Sequence, residues 1–384
     1  MSLFSDDASV ISEPFLRRAF VLAERGRGSV SPNPMVGCVV VRDGVAVGEG
    51  HHERAGSPHA EVNALIAAGD SARGATVYVT LEPCTHHGRT PPCTSALIKA
   101  GVSKVVIGMR DPNVDVSGGG ADILAHAGID VEFAAIEAPF LALNEAWLHR
   151  LRTGLPLVRV KVALTIDGRP TLFANQRSRI TGVGGSSITM DLRSRATAVA
   201  VGASTLGIDD PLLTVRDDQG RAAVRQPLRV VLARTSVPSP SAKVFSADPT
   251  TTRVVVSDAA DARGVAALER ADIPVLRYRY ADGIVGALRV LADDGVDDVL
   301  LEAGPSLGSA LWNTRLIDEL VVVHAGGMGG NAAPPLFLGG PDASACDLAP
   351  LMRAIEAAVR GEDAITVWRQ RRKAGATSIT GRSS

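Results

Sequence analysis

Pro58-His59-Ala60-Glu61-Val62, followed by Leu81-Glu82-Pro83-Cys84 and then by Cys93, brings one imidazole, two thiols and one carboxylate into a short span. A catalytic zinc takes three protein ligands and leaves its fourth position to water. Water bound there loses a proton with a pKa of roughly 7. His59, Cys84 and Cys93 satisfy the ligand count, and Glu61, two residues from the histidine, is left over to shuttle that proton. A structural zinc would use four protein ligands, and His52, His86 or His87 could supply the fourth. Eight residues, Thr85 to Pro92, separate the two cysteines.

Working outward, His59–Ala68 has helical spacing, Ala75–Thr80 reads as a buried strand, Thr94–Ala100 as a helix and Lys104–Met109 as another buried strand. Upstream, Glu13–Arg25 is predicted helical. Val36–Val41 and Val45–Glu49 are predicted strands joined by the turn signal Asp43-Gly44. Helix, two strands and repeated strand–helix units predict a three-layer α/β domain with a partly parallel sheet. The ligands then converge where strands end and helices begin, the usual seat of chemistry in open α/β sheets. Asn144–Leu155 is an amphipathic helix ending at Gly154 and Pro156, which places a domain boundary after 153. Beyond it, strands are predicted at Leu157–Leu164, Ala196–Val201, Leu228–Ala233, Arg253–Val256, Asp298–Glu302 and Glu319–Val323. Helices are predicted at Val265–Ala271, Ile284–Ala292 and Leu307–Trp312. The expected domains are 1–153 and 154–372, with a polar flexible tail at 373–384.

His-x-Glu followed by Pro-Cys and a further Cys is the signature of the zinc nucleobase deaminases, in which hydroxide attacks an amino-bearing ring carbon. A formal net charge of −1 with no basic block argues against a polynucleotide substrate and for a small one. No apolar run reaches the roughly 20 residues of a membrane span. Met1–Asp7 lacks the pattern of a secretory leader. Four cysteines in 384 residues form no disulfide framework: Cys38 lies in an apolar run, and Cys346 has no partner motif. A cytoplasmic protein is expected, with no nucleic-acid or membrane partner. The apolar Leu320–Val323 strand is compatible with a homo-oligomer.

Four segments carry a more specific resemblance. They are Ser31-Pro32-Asn33-Pro34-Met35-Val36-Gly37-Cys38, Gly50-His51-His52-Glu53-Arg54-Ala55-Gly56, Pro58–Val62, and Leu81–Cys93 with its Thr-His-His-Gly-Arg-Thr-Pro-Pro insert. They are similar to the bacterial bifunctional riboflavin-biosynthesis deaminase–reductases, whose first domain is cytidine-deaminase-like. The resemblance implies deamination of a diaminopyrimidinone ribotide, with Glu61 as acid/base. Asn33 would bond the pyrimidine, and His52 with the His86–Arg89 loop would shape the pocket. Arg54 and Arg89 are candidates for the substrate phosphate.

The second half resembles the dihydrofolate-reductase-like domain of the same family, through Val160–Arg169, Leu192-Arg193, Gly202–Thr205, Asp209–Arg216 and Leu301–Leu307. This implies NADPH-dependent reduction of the ribosyl side chain. Ala163, Thr205, Asp209 and the turn Gly304-Pro305-Ser306-Leu307 would contact NADPH. Lys161, Arg193, Leu213, Arg216 and Glu302 would contact the substrate. From the residues alone, Ser306 is a candidate N-cap, and arginines at 193 and 216 suit a phosphate. Two features depart from the family: Arg179 before Ile180-Thr181, and Gly182-Val183-Gly184-Gly185-Ser186-Ser187 in place of an Arg-containing helix start. Such a stretch is expected to weaken the first helical turn. The alternative is therefore a working deaminase whose degenerate second domain serves as a binding or oligomerisation module.

Overall fold

Val36–Val41 is apolar throughout, a pattern that suits a strand covered on both faces. In the computed structural model this is β1 (Gly37–Arg42), buried at five of its six positions. The structure describes residues 7–85, 91–112, 119–173, 180–246, 248–331, 333, 335–336 and 352–371. His86, His87, Arg89, Arg179, Cys346 and the 373–384 tail lie outside them.

The chain forms two units, one from Ser2 to Arg152 and one from Thr153 onward. In the first, α1 (Pro14–Glu24) precedes β1 and its hairpin partner β2 (Val45–His51). Then come α2 (Ala60–Ala68), β3 (Thr76–Val79), α3 (Cys93–Ala100), β4 (Lys104–Ile107), α4 (Gly120–His126), β5 (Asp130–Phe133), α5 (Ala138–Leu143) and α6 (Glu145–Thr153). The sheet order is β2-β1-β3-β4-β5. β1 is antiparallel to both neighbours, and β3, β4 and β5 run parallel.

Alternation of side chains along β1 makes the three layers. Cys38 and Val40 share a core with Ala60, Ala64 and Ala68 of α2, while Val39 and Val41 pack with Ala19 and Leu22 of α1. α2 lies directly on β2 because Gly50 has no side chain. A Cβ there would sit 2.5 Å from the Ala60 carbonyl oxygen. That close seat fixes the first turn of α2, beside His59 and Glu61.

In the second unit, β6 (Leu157–Leu164) is followed by α7 (Val183–Arg195), β7 (Ala198–Gly202), α8 (Ala203–Asp209), β8 (Leu228–Ala233) and β9 (Thr252–Ser257). Next are α9 (Ala262–Arg270), β10 (Val275–Tyr278), α10 (Gly283–Asp293), β11 (Asp298–Glu302) and α11 (Pro305–Asn313). The unit closes with β12 (Glu319–His324), β13 (Met352–Arg360) and β14 (Asp363–Gln370). The sheet order is β10-β9-β8-β7-β11-β6-β12-β14-β13. It is parallel from β10 to β12, and the final hairpin adds two antiparallel strands. β11 enters between β7 and β6, so the carboxyl ends of these three strands meet at a topological switch, where α/β sheets hold ligands.

Two expectations change here. The Gly-rich stretch does not prevent α7 from forming its first turn: the helix runs for 13 residues from Val183. Its missing cap comes from Asp363, whose carboxylate accepts the main-chain N–H groups of Gly182 (3.1 Å) and Gly185 (2.7 Å). Ser306 is not an N-cap: Gly304 holds that position and Pro305 begins α11.

Candidate functional sites

His59 is the N-cap residue of α2 and Cys93 the first residue of α3, so two helix starts aim their side chains at the loop that carries Cys84. The imidazole and thiol donor atoms all lie within 4.8 Å of one another. His59 Nδ1 is 3.2 Å from Cys93 Sγ and 3.5 Å from Cys84 Sγ. A tetrahedral zinc with ordinary bond lengths would separate nitrogen from sulfur by about 3.6 Å, so the donor set fits that ion. The Cys93 main-chain N–H points at Cys84 Sγ (3.4 Å), and the Thr94 N–H and hydroxyl both reach the Cys84 carbonyl (3.3 Å each). The Cys84 thiol is held down to about 4, chiefly by the hydrogen bond from Cys93, with burial opposing and His59 assisting. Cys93 is pushed up, by giving its proton to that bond and by burial. A dication bound between them favours ionisation of both thiols.

Glu61 lies in the first turn of α2 and is 3% exposed. Burial, reinforced by the negative charge on Cys84, raises its carboxyl to about 7. It stands outside the three-donor set. A buried carboxyl that ionises near neutrality suits proton transfer.

The structure brings Asn33 and His52 to the same place. The His52 ring packs edge-on against His59 at 5.5 Å. Its Nδ1 lies 3.1 Å from the Pro58 carbonyl, which can only accept, so that nitrogen carries the proton. Nε2 therefore accepts from the Asn33 amide, 3.1 Å away. This orientation leaves the Asn33 carbonyl oxygen available as an acceptor. Burial lowers the His52 pKa and so favours the neutral ring. With both nitrogens engaged, His52 does not supply a fourth metal ligand. Arg54 is exposed. Sequence reasoning missed Glu82: its carboxylate accepts the N–H groups of Asp111 (3.2 Å) and Ala121 (2.9 Å), tying the Cys84 loop to the start of α4. The Glu-Pro-Cys motif contained that signal.

In the second unit, Glu302 ends β11 opposite Lys161 of β6. Arg193, in the last turn of α7, grips Glu302 with two bonds, 2.6 and 2.9 Å, and gives a third (2.8 Å) to the Thr214 carbonyl. Burial would raise the Glu302 pKa. The Arg193 charge and hydrogen bonds, helped by Lys161, more than offset it, so the carboxyl stays below its ordinary range. Burial lowers the Lys161 pKa, against the pull of Glu302. Leu213 is buried in left-handed backbone, so any ligand contact there falls to its main chain. Arg216 is exposed, and no carboxylate pairs with it among the described residues. Arg193, expected at a phosphate, is instead committed to Glu302.

Of the nucleotide candidates, Thr205, Gly304 and Leu307 come together after β7 and β11. The helix starts of α8 and α11 abut: a Cβ on Gly304 would meet Thr205 Oγ1 at 2.7 Å, and one on Gly202 would meet Leu307 at 3.7 Å. Both N-caps are glycines without a side-chain bond. The first N–H groups of α11 thus lack a side-chain cap and suit a phosphate. Asp209 ends α8, and Ala163 lies on β6 beyond Lys161.

Fold and sites together define a class, a zinc-dependent nucleobase deaminase joined to a nucleotide-dependent reductase. Residues 10–109 match the cytidine and deoxycytidylate deaminase zinc-binding region, and residues 156–366 match the RibD C-terminal domain. The chain is 38% identical to the riboflavin biosynthesis protein RibD of Escherichia coli K12, covering 90% of this chain and 93% of that one. It is 37% identical to the RibD of Aquifex aeolicus, covering 82% and 87%. Among solved structures, Acinetobacter baumannii RibD superposes with a TM-score of 0.81 at 36% identity, covering 95% of this chain and 99% of the other. The Thermotoga maritima diaminohydroxyphosphoribosylaminopyrimidine deaminase/5-amino-6-(5-phosphoribosylamino)uracil reductase gives 0.77 at 32%, covering 93% and 98%. The chain belongs to the RibD family of riboflavin-biosynthesis deaminase–reductases.

Proposed function

We propose that the chain carries out two successive steps of riboflavin biosynthesis. The first is hydrolytic deamination of 2,5-diamino-6-ribosylamino-4(3H)-pyrimidinone 5′-phosphate. The second is NADPH-dependent reduction of its ribosyl side chain to ribityl. The observation that carries the first step is Glu61, a buried carboxyl beside a three-donor zinc set of which it is not a member. His59, Cys84 and Cys93 would hold zinc, which would supply the Lewis acidity that makes the attacking water easier to deprotonate. Glu61 accepts the proton of the attacking water and returns it to the departing amino group as ammonia. Asn33 presents its carbonyl oxygen to the pyrimidine, and His52 fixes the amide in that sense.

For the second step bound NADPH would supply the hydride, and the protein's part would be to orient the ribose carbonyl toward it. The helix starts at Gly202 and Gly304 suit the cofactor phosphates, with Thr205, Pro305, Ser306 and Leu307 beside them, and Ala163 and Asp209 are assigned to the rest of the cofactor. Lys161 is the cation available to the carbonyl oxygen as it gains charge. Arg193 orients Glu302 toward the substrate, and Arg216 is left for the substrate phosphate. The intact Glu302–Arg193 clamp makes this reading fit better than a degenerate second domain. No helix among the described residues is long and apolar enough to cross a membrane. We place the protein in the cytoplasm, where the ligand thiols stay reduced.

The test is to give zinc-loaded protein the diaminopyrimidinone ribotide and then NADPH, following ammonia and reduced cofactor separately. Ammonia followed by NADPH loss is expected. Ammonia alone would leave a deaminase with an idle second domain, and neither signal with zinc bound would sink the assignment.

A further inference from the structure

The Gly-rich start of α7 is completed by a carboxylate far away in the sequence. Asp363, the first residue of β14, is 1% exposed, and its side chain accepts the N–H groups of Gly182 and Gly185. These are orphan donors of a helix start, normally met by a local Ser, Thr, Asp or Asn. Gly182 itself offers no side-chain cap. The tip of the β13–β14 hairpin also presses on this same first turn. A Cβ on Gly184 would lie 1.8 Å from the Arg360 carbonyl oxygen, so the approach requires glycine. Arg360 then runs along the helix, bonding Asp191 at 2.6 Å and reaching Ser187 at 3.5 Å.

At the other end of α7, Arg193 clamps Glu302 and the Thr214 carbonyl. α7 is therefore held by Asp363 at its first turn and by Glu302 at its last, about 12 Å apart at the usual helical rise.

We infer that Asp363 is a positioning residue of the reductase, acting through α7 on the Arg193–Glu302 clamp, and that the last hairpin is a working part of that site. This rests on the reductase reading above. Sliding or fraying of α7 would move Arg193, and misplacement of a positioning group by about 1 Å costs on the order of a hundredfold in rate. The nucleotide-binding turns lie on other elements, α8 and α11, and do not depend on this contact.

The experiment compares wild type, Asp363→Ala, Asp363→Asn and Gly184→Ala for NADPH consumption, ammonia release, NADPH affinity and thermal melting. Asp363→Ala should raise the reductase KM for the pyrimidine ribotide and lower kcat/KM by about ten- to a hundredfold. Its NADPH affinity and ammonia release should stay within about twofold of wild type, inside the scatter of an untouched site. Asp363→Asn keeps an acceptor and should recover part of the loss. Gly184→Ala, which pushes the hairpin away with Asp363 intact, should reproduce the KM rise. If Asp363→Ala does not fold, Asp363→Asn and Gly184→Ala decide. Loss of kcat in proportion to the folded fraction, with KM unchanged, would overturn the inference, as would wild-type kinetics in every variant. A wild type that consumes no NADPH would overturn the reductase reading itself, and the inference with it.

Discussion

The two sites are built differently. The deaminase site gathers its donors from one short stretch, on two helix starts and one loop, and each donor is a residue type that few others can replace. The candidate reductase residues, in the reading proposed above, come from β6, α7, the loop at 213–216, β11 and the last hairpin, and they are common residue types whose value lies in position. Metal and proton chemistry need particular atoms. Hydride transfer needs alignment, because the cofactor brings the chemistry. One site therefore writes a motif, and the other writes a scaffold.

The sharpest way to break this contrast is Glu61→Gln. It should reduce ammonia release by about 10²–10⁴-fold while zinc, measured by metal analysis, stays bound and NADPH consumption on pre-deaminated substrate persists. Loss of zinc would make Glu61 structural.

Arg193→Ala comes next and probes the scaffold. Removing one partner of a buried ion pair leaves a carboxylate uncompensated, at a cost of about 3 kcal/mol, readable as a lower denaturation midpoint together with lost NADPH consumption. The pair also has a pH signature. Glu302 is held below its ordinary pKa, so its contribution is complete above the unfolded carboxylate value of about 4.3. It is lost as pH falls below that value through the folded one. Denaturation of wild type and Arg193→Ala should therefore converge in acid; a gap that persists there would exclude the clamp as its source.

A smaller effect is expected for His52→Phe, which keeps the ring but loses both hydrogen bonds. The Asn33 amide is then free to flip, and the deaminase KM should rise about tenfold with zinc retained, as for one lost polar contact of about 1.5 kcal/mol. Unchanged KM would mean that Asn33 is oriented by something else. The smallest change is Arg216→Ala. The residue is exposed, so the reductase KM should rise only severalfold, by about 1 kcal/mol. Added salt should narrow the difference from wild type. An effect on ammonia release would place Arg216 elsewhere.

Much of the scaffold was legible in the sequence. β1, β3 and β11 were visible as apolar runs, and α1 and α2 as periodic ones. The closing hairpin was not. β13, Met-Arg-Ala-Ile-Glu-Ala-Ala-Val-Arg, is rich in helix-forming residues and exposed at most positions, so neither propensity nor alternation marks it. It is a strand because β14 pairs with it. The α7 start misled in the opposite direction: its glycines read as a defect, yet Gly184 is what lets the hairpin approach. Within the sites, the sequence contained His59, Glu61, Cys84 and Cys93. It did not show that Arg193 is taken up by Glu302, that Ser306 gives up the cap to Gly304, or that Asp363 has any part.

The amino-acid sequence by itself contained the candidate metal donors His59, Cys84 and Cys93, the nearby carboxyl of Glu61 and the two-part α/β plan. Each of these follows from residue type and local spacing, and local interactions read directly along the chain. Tertiary structure alone decided which arginine is free, which way Asn33 points and what completes α7. Those outcomes depend on which distant segments the sheet brings together, and a hydrogen bond across 178 positions leaves no periodic trace in the chain.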